Sequence, residues 1–143
     1  MREGNLHLFF LFQGGDKMVN GLRLYSEHYE HPKGYKPPLE SVYQKRLISK
    51  IEKRFPGCIV IKQDPTYIQG IPDLIILYND RWATLECKRS FDAPHQPNQD
   101  YWVDRLNQMS FSAFIFPENE EVILDELQKS FESSRRTRLS RRK

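Results

Sequence analysis

Cysteine is scarce in this sequence, and its placement suggests neither a zinc site nor a network of cross-links. Two cysteines occur among 143 residues, Cys58 and Cys87. They lack zinc-type spacing and do not resemble a secreted disulfide framework. Each histidine is expected to be solvated or in a turn, because none of the four shows metal-ligand spacing: His7, His28, His31 and His95. A reducing, intracellular compartment is therefore favoured, and we expect a cytoplasmic protein.

Long hydrophobic runs are missing as well. Residues 6–12 form an apolar run of seven residues, whereas a membrane-spanning helix needs roughly 20. The run is also a poor signal peptide, because Arg2 and Glu3 are the only charged side chains before it and no small-residue cleavage site follows. We expect no membrane partner. The run is either a strand packed on the domain or a non-native extension ahead of a true start at Met18.

The composition is that of one folded, soluble domain without a Gly-rich phosphate loop or an internal repeat. Hydrophobic residues make up 38% of the chain and charged residues 29%. The formal charge of +3 is unevenly spread, because residues 133–143 carry six positive and no negative side chains. This tail is expected to be disordered, and its arginines, which include Arg135 and Arg136, could attract nucleic-acid phosphates. A solvated tail that aids solubility, or an address signal, is an equal alternative.

The order of predicted elements indicates an α/β or α+β domain, with a mixed sheet flanked by helices. Residues 1–38 are predicted to be an extended lead-in, interrupted by prolines and polar breaks. Hydrophobic periodicity predicts helices at 39–54, 99–109 and 117–131, and strands at 58–62, 73–77, 82–88 and 111–116. The resulting order is helix, strand, strand, strand, helix, strand, helix.

The predicted helices have specific faces and ends. The first should bury one apolar stripe, formed by Leu39, Val42, Tyr43, Leu47, Ile51 and Phe55. The second should be capped by Asn98 and should bury Trp102, Leu106 and Met109. The third should begin at Pro117, because proline suits the first turn of a helix.

Two carboxylates and an amine fall on neighbouring strands of the predicted hairpin. An antiparallel register centred between Asn79 and Asp80 pairs Asp73 with Glu86, and directly opposed residues have Cβ atoms roughly 4.5–5.5 Å apart. Two carboxylates so close repel each other unless a cation or a proton lies between them. Since side chains alternate along a strand, Lys88 shares the face of Glu86. The hairpin therefore predicts a site for a hard metal ion, the structural alternative being a turn and a solvated ion pair.

These residues resemble the PD-(D/E)XK nuclease superfamily, whose name-giving elements would be Pro72-Asp73 and Glu86-Cys87-Lys88. The segment 70–74, the segment 86–89 and a helix opened by Gln99 are similar, more narrowly, to the VRR-NUC group and to related phage, RecB-like or Holliday junction resolvase-like nucleases. The resemblance implies a restriction-endonuclease-like core in a nuclease domain at residues 39–132. Residues 95–98, which include a proline, depart from the usual pattern of the narrower group.

The resemblance also implies roles for individual residues. Four would bind Mg²⁺, which Mn²⁺ could replace: Asp73, Glu86 and Glu40 through carboxylate oxygens, and Cys87 through its carbonyl. Magnesium suits such a site because it prefers oxygen ligands and retained waters. Lys88 would orient or activate the attacking water. Gln99 would help to organise Lys88 and the scissile phosphate, and Gln44 is a weaker counterpart one turn from Glu40.

The implied activity is metal-dependent hydrolysis of DNA phosphodiester bonds, in phage or bacterial recombination or repair, with branched DNA such as Holliday junctions a leading substrate. A junction-resolving enzyme would normally be a homodimer that presents two sites. Basic residues expected to meet DNA include Lys45, Lys62 and Arg89. The alternative from a different class is a catalytically inactive nucleic-acid-binding module on the same fold.

Overall fold

The computed structural model describes residues 31–133 and the backbone of two short strands further upstream. These strands are β1 (Asp16–Val19) and β2 (Leu22–Ser26), which pair antiparallel with a register shift between Lys17 and Met18. The segment predicted as an extended lead-in therefore contains a two-stranded sheet, in which each strand supplies backbone hydrogen-bond partners to the other. The apolar run 6–12 and most of the basic tail lie outside the described residues.

The remaining elements follow the predicted order and give a mixed α+β domain. They are α1 (Glu40–Arg54), β3 (Ile59–Lys62), β4 (Leu74–Tyr78), β5 (Arg81–Cys87), α2 (Gln99–Met109), β6 (Phe111–Ile115) and α3 (Glu120–Glu132). The four strands form one sheet in the order β3-β4-β5-β6, antiparallel except for the parallel pair β5 and β6. Within the described ranges, no helix is long and apolar enough to cross a bilayer.

One face of the sheet carries the main hydrophobic core. Alternate residues of β4 and β5 point to this face and are buried, as side-chain alternation requires: Leu74, Ile76, Ala83, Leu85 and Cys87. Helices α1 and α3 cover it with apolar side chains: Tyr43, Leu47 and Ile51 from α1, and Ile123, Leu124 and Leu127 from α3. The core therefore lies between two helices and one side of the sheet.

The opposite face of the sheet is only half covered. Helix α2 packs against β5 and β6, where Val103 and Phe114 are fully buried yet stand outside the main core cluster. On the β3 and β4 side of the same face, Ile59, Ile61 and Leu77 remain exposed. Glu86 and Lys88 project to this second face, because the alternation that buries Leu85 and Cys87 in the core turns their neighbours the other way.

The hairpin register expected from the sequence is confirmed. Leu77 lies opposite Trp82 and Ile75 lies opposite Thr84, and continuing this ladder by one step past its last pair places Asp73 across from Glu86. The turn is tight, since Asn79 adopts a positive φ of 54°, a conformation that asparagine tolerates better than most residues.

Several predicted helix details were wrong. Leu39 and Val42 are 64% and 57% exposed and Met109 is 62% exposed, so the buried stripes are narrower than the apolar patterns. Asn98 has a left-handed φ of 69° and makes no side-chain cap hydrogen bond. Helix α3 begins at Glu120 rather than at Pro117, because the buried Asn119 side chain bonds both Phe116 N and Phe114 O and holds the preceding residues in a turn.

A close approach of two loops depends on Gly70. Its φ is +83°, and a Cβ built on it would lie 2.6 Å from the backbone carbon of Asn98 and 2.7 Å from the carbonyl oxygen of Pro97. Since a side chain cannot fit there, the loop before Asp73 is pressed directly against the loop before Gln99.

We expect Gly70→Ala to destabilise the fold much more than Gly57→Ala. Both glycines have a similar positive φ, +83° and +87°, but a Cβ at Gly57 would meet nothing within 4 Å. Gly57→Ala should therefore cost only the backbone strain, about 1 kcal/mol, whereas Gly70→Ala should cost roughly 1–3 kcal/mol more through overpacking. Urea denaturation of both variants measures this difference. Equal losses would mean that the two loops separate without cost.

Candidate active site

Asp73 is held at the start of β4 by backbone contacts on both sides. Its carbonyl oxygen accepts a hydrogen bond from Gln63 N (2.7 Å), and its Oδ2 accepts one from Cys87 N (2.8 Å). Burial raises the pKa of Asp73, while the Cys87 amide and the charge of Lys88 act in the opposite direction. The carboxylate is therefore fixed across from the end of β5 and faces the same side of the sheet as Glu86.

Glu86 is the most enclosed carboxylate of the site. It is 2% exposed, and its Oε1 accepts a hydrogen bond from Gln99 Nε2 at 2.5 Å. Its Oε2 is buried and accepts no hydrogen bond from an N–H or hydroxyl group, although a proton on Glu86 lets it donate to the Asp73 side chain. Burial and the negative charge of Asp73 raise the pKa of Glu86 to about 8, against the opposing effect of Lys88. The carboxylate thus has one unsatisfied oxygen in a setting that disfavours its negative charge.

Lys88 is buried as well, at 4% exposure. Its Nζ donates to Gln99 Oε1 at 2.7 Å and to the carbonyl oxygen of Pro94 at 3.1 Å, and it lies 3.9 Å from Glu86 Oε1. A buried ammonium needs such partners, because removing it from water without them is costly. The lysine is consequently held in one position beside the carboxylates.

Gln99 connects the amine to the carboxylate. It accepts from Lys88 Nζ and from the backbone N–H of Gln96 (2.8 Å) through Oε1, and it donates to Glu86 through Nε2. The Lys88 ammonium and the Gln96 N–H can only donate, so both must face Oε1 of the amide, and Nε2 is left to point at Glu86. Gln99 is the first residue of α2, and the helix start therefore sets the spacing between Glu86 and Lys88.

Glu40 approaches the same site from the first turn of α1. Its side chain is exposed, yet partial desolvation raises its pKa, and the charges that act on it are those of Lys88, Asp73 and Arg89. Gln44 behaves differently. It hydrogen-bonds the thiol of Cys87, whose side chain is buried in the core and whose pKa is raised well above the usual thiol value by burial. Gln44 therefore supports β5 from the core side.

The predicted DNA-contacting residues occupy different positions. Lys62 is exposed at the end of β3, and its charge reaches Asp73. Arg89 is partly buried, donates from Nη2 to the carbonyl oxygen of Pro37 at 3.2 Å, and has a buried Nε without a hydrogen-bond partner. Lys45 is exposed on α1. Arg135 and Arg136 lie outside the described residues, so their assignment stays a prediction.

The donor set suits a hard divalent cation that is completed by substrate and water. No group of three His, Cys, Asp or Glu side chains in the described part of the chain could hold a metal ion by itself. Magnesium does not require one, since it is typically bound by one or two carboxylates together with waters and substrate phosphate. The unsatisfied Oε2 of Glu86 beside Asp73 is the observation that fits such a ligand. Binding by Glu40 and by the Cys87 carbonyl stays a prediction.

Sequence reasoning missed the backbone groups that hold the site together. The carbonyl oxygen of Pro94 binds Lys88, and the N–H of Gln96 binds Gln99. A carbonyl or an N–H occurs at almost every residue, so no pattern of side chains points to these two. The only related signal was the proline-bearing segment 95–98, which looked like a departure from the family pattern.

Comparisons with known proteins give one structural similarity. No protein-family model matches the chain, and no curated protein matches its sequence. A solved structure described as "VRR_NUC domain" is similar to 62% of this chain and to 97% of its own length, with 21% sequence identity and a TM-score of 0.47. The motifs in the sequence resemble the same group.

We expect Glu86→Gln to stabilise the metal-free protein at pH 8. A carboxyl group whose pKa is raised from 4.5 to about 8 keeps its proton in the folded state across that interval, so the wild-type protein loses stability as the pH rises through it. At about 1.4 kcal/mol per pKa unit, the variant should gain roughly 1 kcal/mol or more at pH 8. The difference should shrink toward pH 5, where Glu86 is protonated.

Chemical denaturation at several pH values, in the presence of a chelator, measures this difference. Glu52→Gln, which removes an exposed carboxylate on α1, is the matched control and should leave the pH dependence unchanged. Added Mg²⁺ or Mn²⁺ should raise the melting temperature of the wild-type protein more than that of Glu86→Gln. A stability gap that is the same at pH 5 and pH 8 would contradict the raised pKa.

Proposed function

We propose that this protein is a metal-dependent DNA endonuclease that hydrolyses phosphodiester bonds, with Mg²⁺ as the cofactor and Mn²⁺ able to replace it. The observation that supports this most is the buried Glu86 carboxylate, which lies beside Asp73 and has one oxygen without an N–H or hydroxyl donor. Next to it is an ammonium group held within 3.9 Å. A cation and a substrate phosphate would together satisfy these groups.

An enzymatic role explains charges that destabilise the fold. Two carboxyl groups that face each other in a buried setting repel once both are ionised, and Glu86 Oε2 then has no N–H or hydroxyl donor, which costs free energy. Groups whose pKa values are perturbed in this way cluster at functional sites, because the perturbation is what prepares them for a ligand or a proton. A purely structural protein gains nothing from the arrangement.

Each residue has a distinct role in the proposed reaction. Asp73 and Glu86 would hold the cation, with Glu40 and the Cys87 carbonyl as further oxygen donors. When bound, the cation supplies Lewis-acid activation of a water and neutralises charge on the phosphate. Lys88 would orient the attacking water and stabilise the negative charge that develops on the phosphate oxygens. Gln99 would hold the side chains of Lys88 and Glu86 at a fixed separation, since it hydrogen-bonds both of them.

We expect Asp73→Ala and Lys88→Met to lose at least about 100-fold in Mg²⁺-dependent cleavage, the scale for removing one stabilising group from an active site. Methionine has nearly the length and the apolar stem of Lys88, so the substitution removes the charge without leaving a cavity. Two exposed residues near the C-terminal ends of α1 and α3, Glu52 and Lys129, supply the controls Glu52→Ala and Lys129→Ala, which should cleave like the wild type. Circular dichroism and melting curves check the fold, and a chelator should abolish wild-type cleavage.

The outcomes separate the two candidate functions. Undiminished cleavage by Asp73→Ala, or cleavage that persists with a chelator, would contradict the proposed mechanism. DNA binding without cleavage by the wild-type protein on any substrate would favour a catalytically inactive nucleic-acid-binding module. Each measurement therefore decides between an enzyme and a binding protein on the same fold.

For the substrate, we propose branched DNA of the kind formed in recombination and repair, and a homodimer that presents two sites. Four-way junctions should then be cut at least about tenfold faster than linear duplexes of the same sequence, a difference of roughly 1.4 kcal/mol in the barrier. Gel filtration of the same preparation reports the oligomeric state. Equal rates on junction and duplex would contradict the branched-substrate proposal while leaving the nuclease proposal intact.

A further inference from the structure

His95 lies beside the candidate centre, although the proposed mechanism does not use it. Its imidazole ring is stacked on Phe114, with 4.1 Å between ring centroids and 13° between planes. Phe114 is the residue of β6 that pairs with Glu86 of β5, and paired residues in a parallel ladder point to the same face of the sheet. Adjacent strands are about 4.8 Å apart. The stack therefore places the imidazole one strand away from Glu86, on the face that carries the carboxylates.

The backbone on both sides of His95 is tied to the same centre. The carbonyl oxygen of Pro94 accepts from Lys88 Nζ, and the N–H of Gln96 donates to Gln99 Oε1. A further restraint comes from Gly70, whose close contact with residues 97 and 98 leaves no room for this loop to move inward. The backbone at His95 thus cannot move away from the centre without breaking contacts of Lys88 and Gln99.

Asp100 orients the imidazole ring. Its Oδ1 lies 2.7 Å from His95 Nδ1, and the carboxylate can only accept, so the ring donates through Nδ1. No residue in the described ranges hydrogen-bonds Nε2, and the side chain is about one-third exposed. A ring with one nitrogen held by a carboxylate presents the other to a ligand in a fixed direction. The open nitrogen suits a phosphate oxygen, because an imidazole between two anionic oxygens can donate one hydrogen bond from each ring nitrogen.

We propose that His95, oriented by Asp100 and stacked on Phe114, contacts a phosphate of the nucleic-acid substrate through Nε2. This inference rests on the proposed nuclease function and adds a substrate contact to it. The contact comes from the loop in which this chain departs from the pattern of the group it resembles. Asp100 is then a positioning residue that acts through His95.

The main test compares His95→Phe and His95→Gln with the wild-type protein. Phenylalanine keeps an aromatic ring over Phe114 but has no donor, so a residue that only covers Phe114 would tolerate this change. We expect both variants to lose roughly 10- to 100-fold in kcat/KM, the range for one charge-assisted hydrogen bond, with unchanged melting temperatures. Affinity for the same DNA, measured by fluorescence anisotropy with a chelator present, should fall in both variants. Wild-type rates and affinity for His95→Phe would overturn the proposal.

Substrate modification identifies the phosphate itself. Replacing single phosphates around the cleaved bond by neutral methylphosphonates should slow the wild-type enzyme at one position where it leaves His95→Phe unaffected. Asp100→Asn should lower kcat/KM in the wild type and have no effect in the His95→Phe background. If every methylphosphonate slows both proteins equally, His95 makes no phosphate contact. A wild-type protein that cleaves no DNA, with Asp73→Ala indistinguishable from it, overturns the nuclease function and this inference together.

Discussion

The burial of the Glu86 carboxylate is the constraint on which the rest of the site depends. A carboxylate at 2% exposure, with a second carboxylate across the hairpin, is tolerated only where opposite charge and hydrogen-bond donors surround it. Lys88 and the Gln99 amide supply both. Because Gln99 opens α2, the position of that helix is coupled to the charge balance of β5. The half-covered face of the sheet is therefore organised around polar contacts, whereas the opposite face is organised around apolar packing.

Two loops pack against each other beside these polar side chains and help to hold them in place. The loop before Gln99 provides the carbonyl of Pro94 and the N–H of Gln96, and the loop before Asp73 presses against it at Gly70. Turn hydrogen bonds hold each loop locally, Ile71 N to Ile68 O in the loop before Asp73 and Gln99 N to Gln96 O in the other. The contact at Gly70 then fixes the position of one loop against the other. A substitution at Gly70 consequently reaches the amine of the site through the backbone, without touching any polar side chain of the centre.

The order of elements and the hairpin register were predictable, because both follow from local patterns. Apolar periodicity separates helices from strands, and a two-residue turn with Asn79 leaves the strands one way to pair. Helix ends were less predictable, because they depend on contacts distant in the sequence. The Asn119 side chain hydrogen-bonds the backbone of Phe114 in β6 and of Phe116 just after it. Helix α3 therefore begins three residues later than the sequence predicts. Asn98 adopts a left-handed conformation where it meets Gly70, so its side chain does not cap α2.

The alternation of β5 explains how one strand can contribute both to the core and to the candidate site. Leu85 and Cys87 are fully buried among apolar side chains, while Glu86 and Lys88 project to the other face and meet Gln99. A register slip of one residue would exchange the two sets and place both charges in the core. The free energy of that exchange is far larger than the cost of one unsatisfied carboxylate oxygen, since isolated buried charges are much less tolerable than paired ones. The same hydrophobic packing that stabilises the sheet thereby holds two mutually repelling carboxylates in place, and it leaves the oxygen of Glu86 available to a cation.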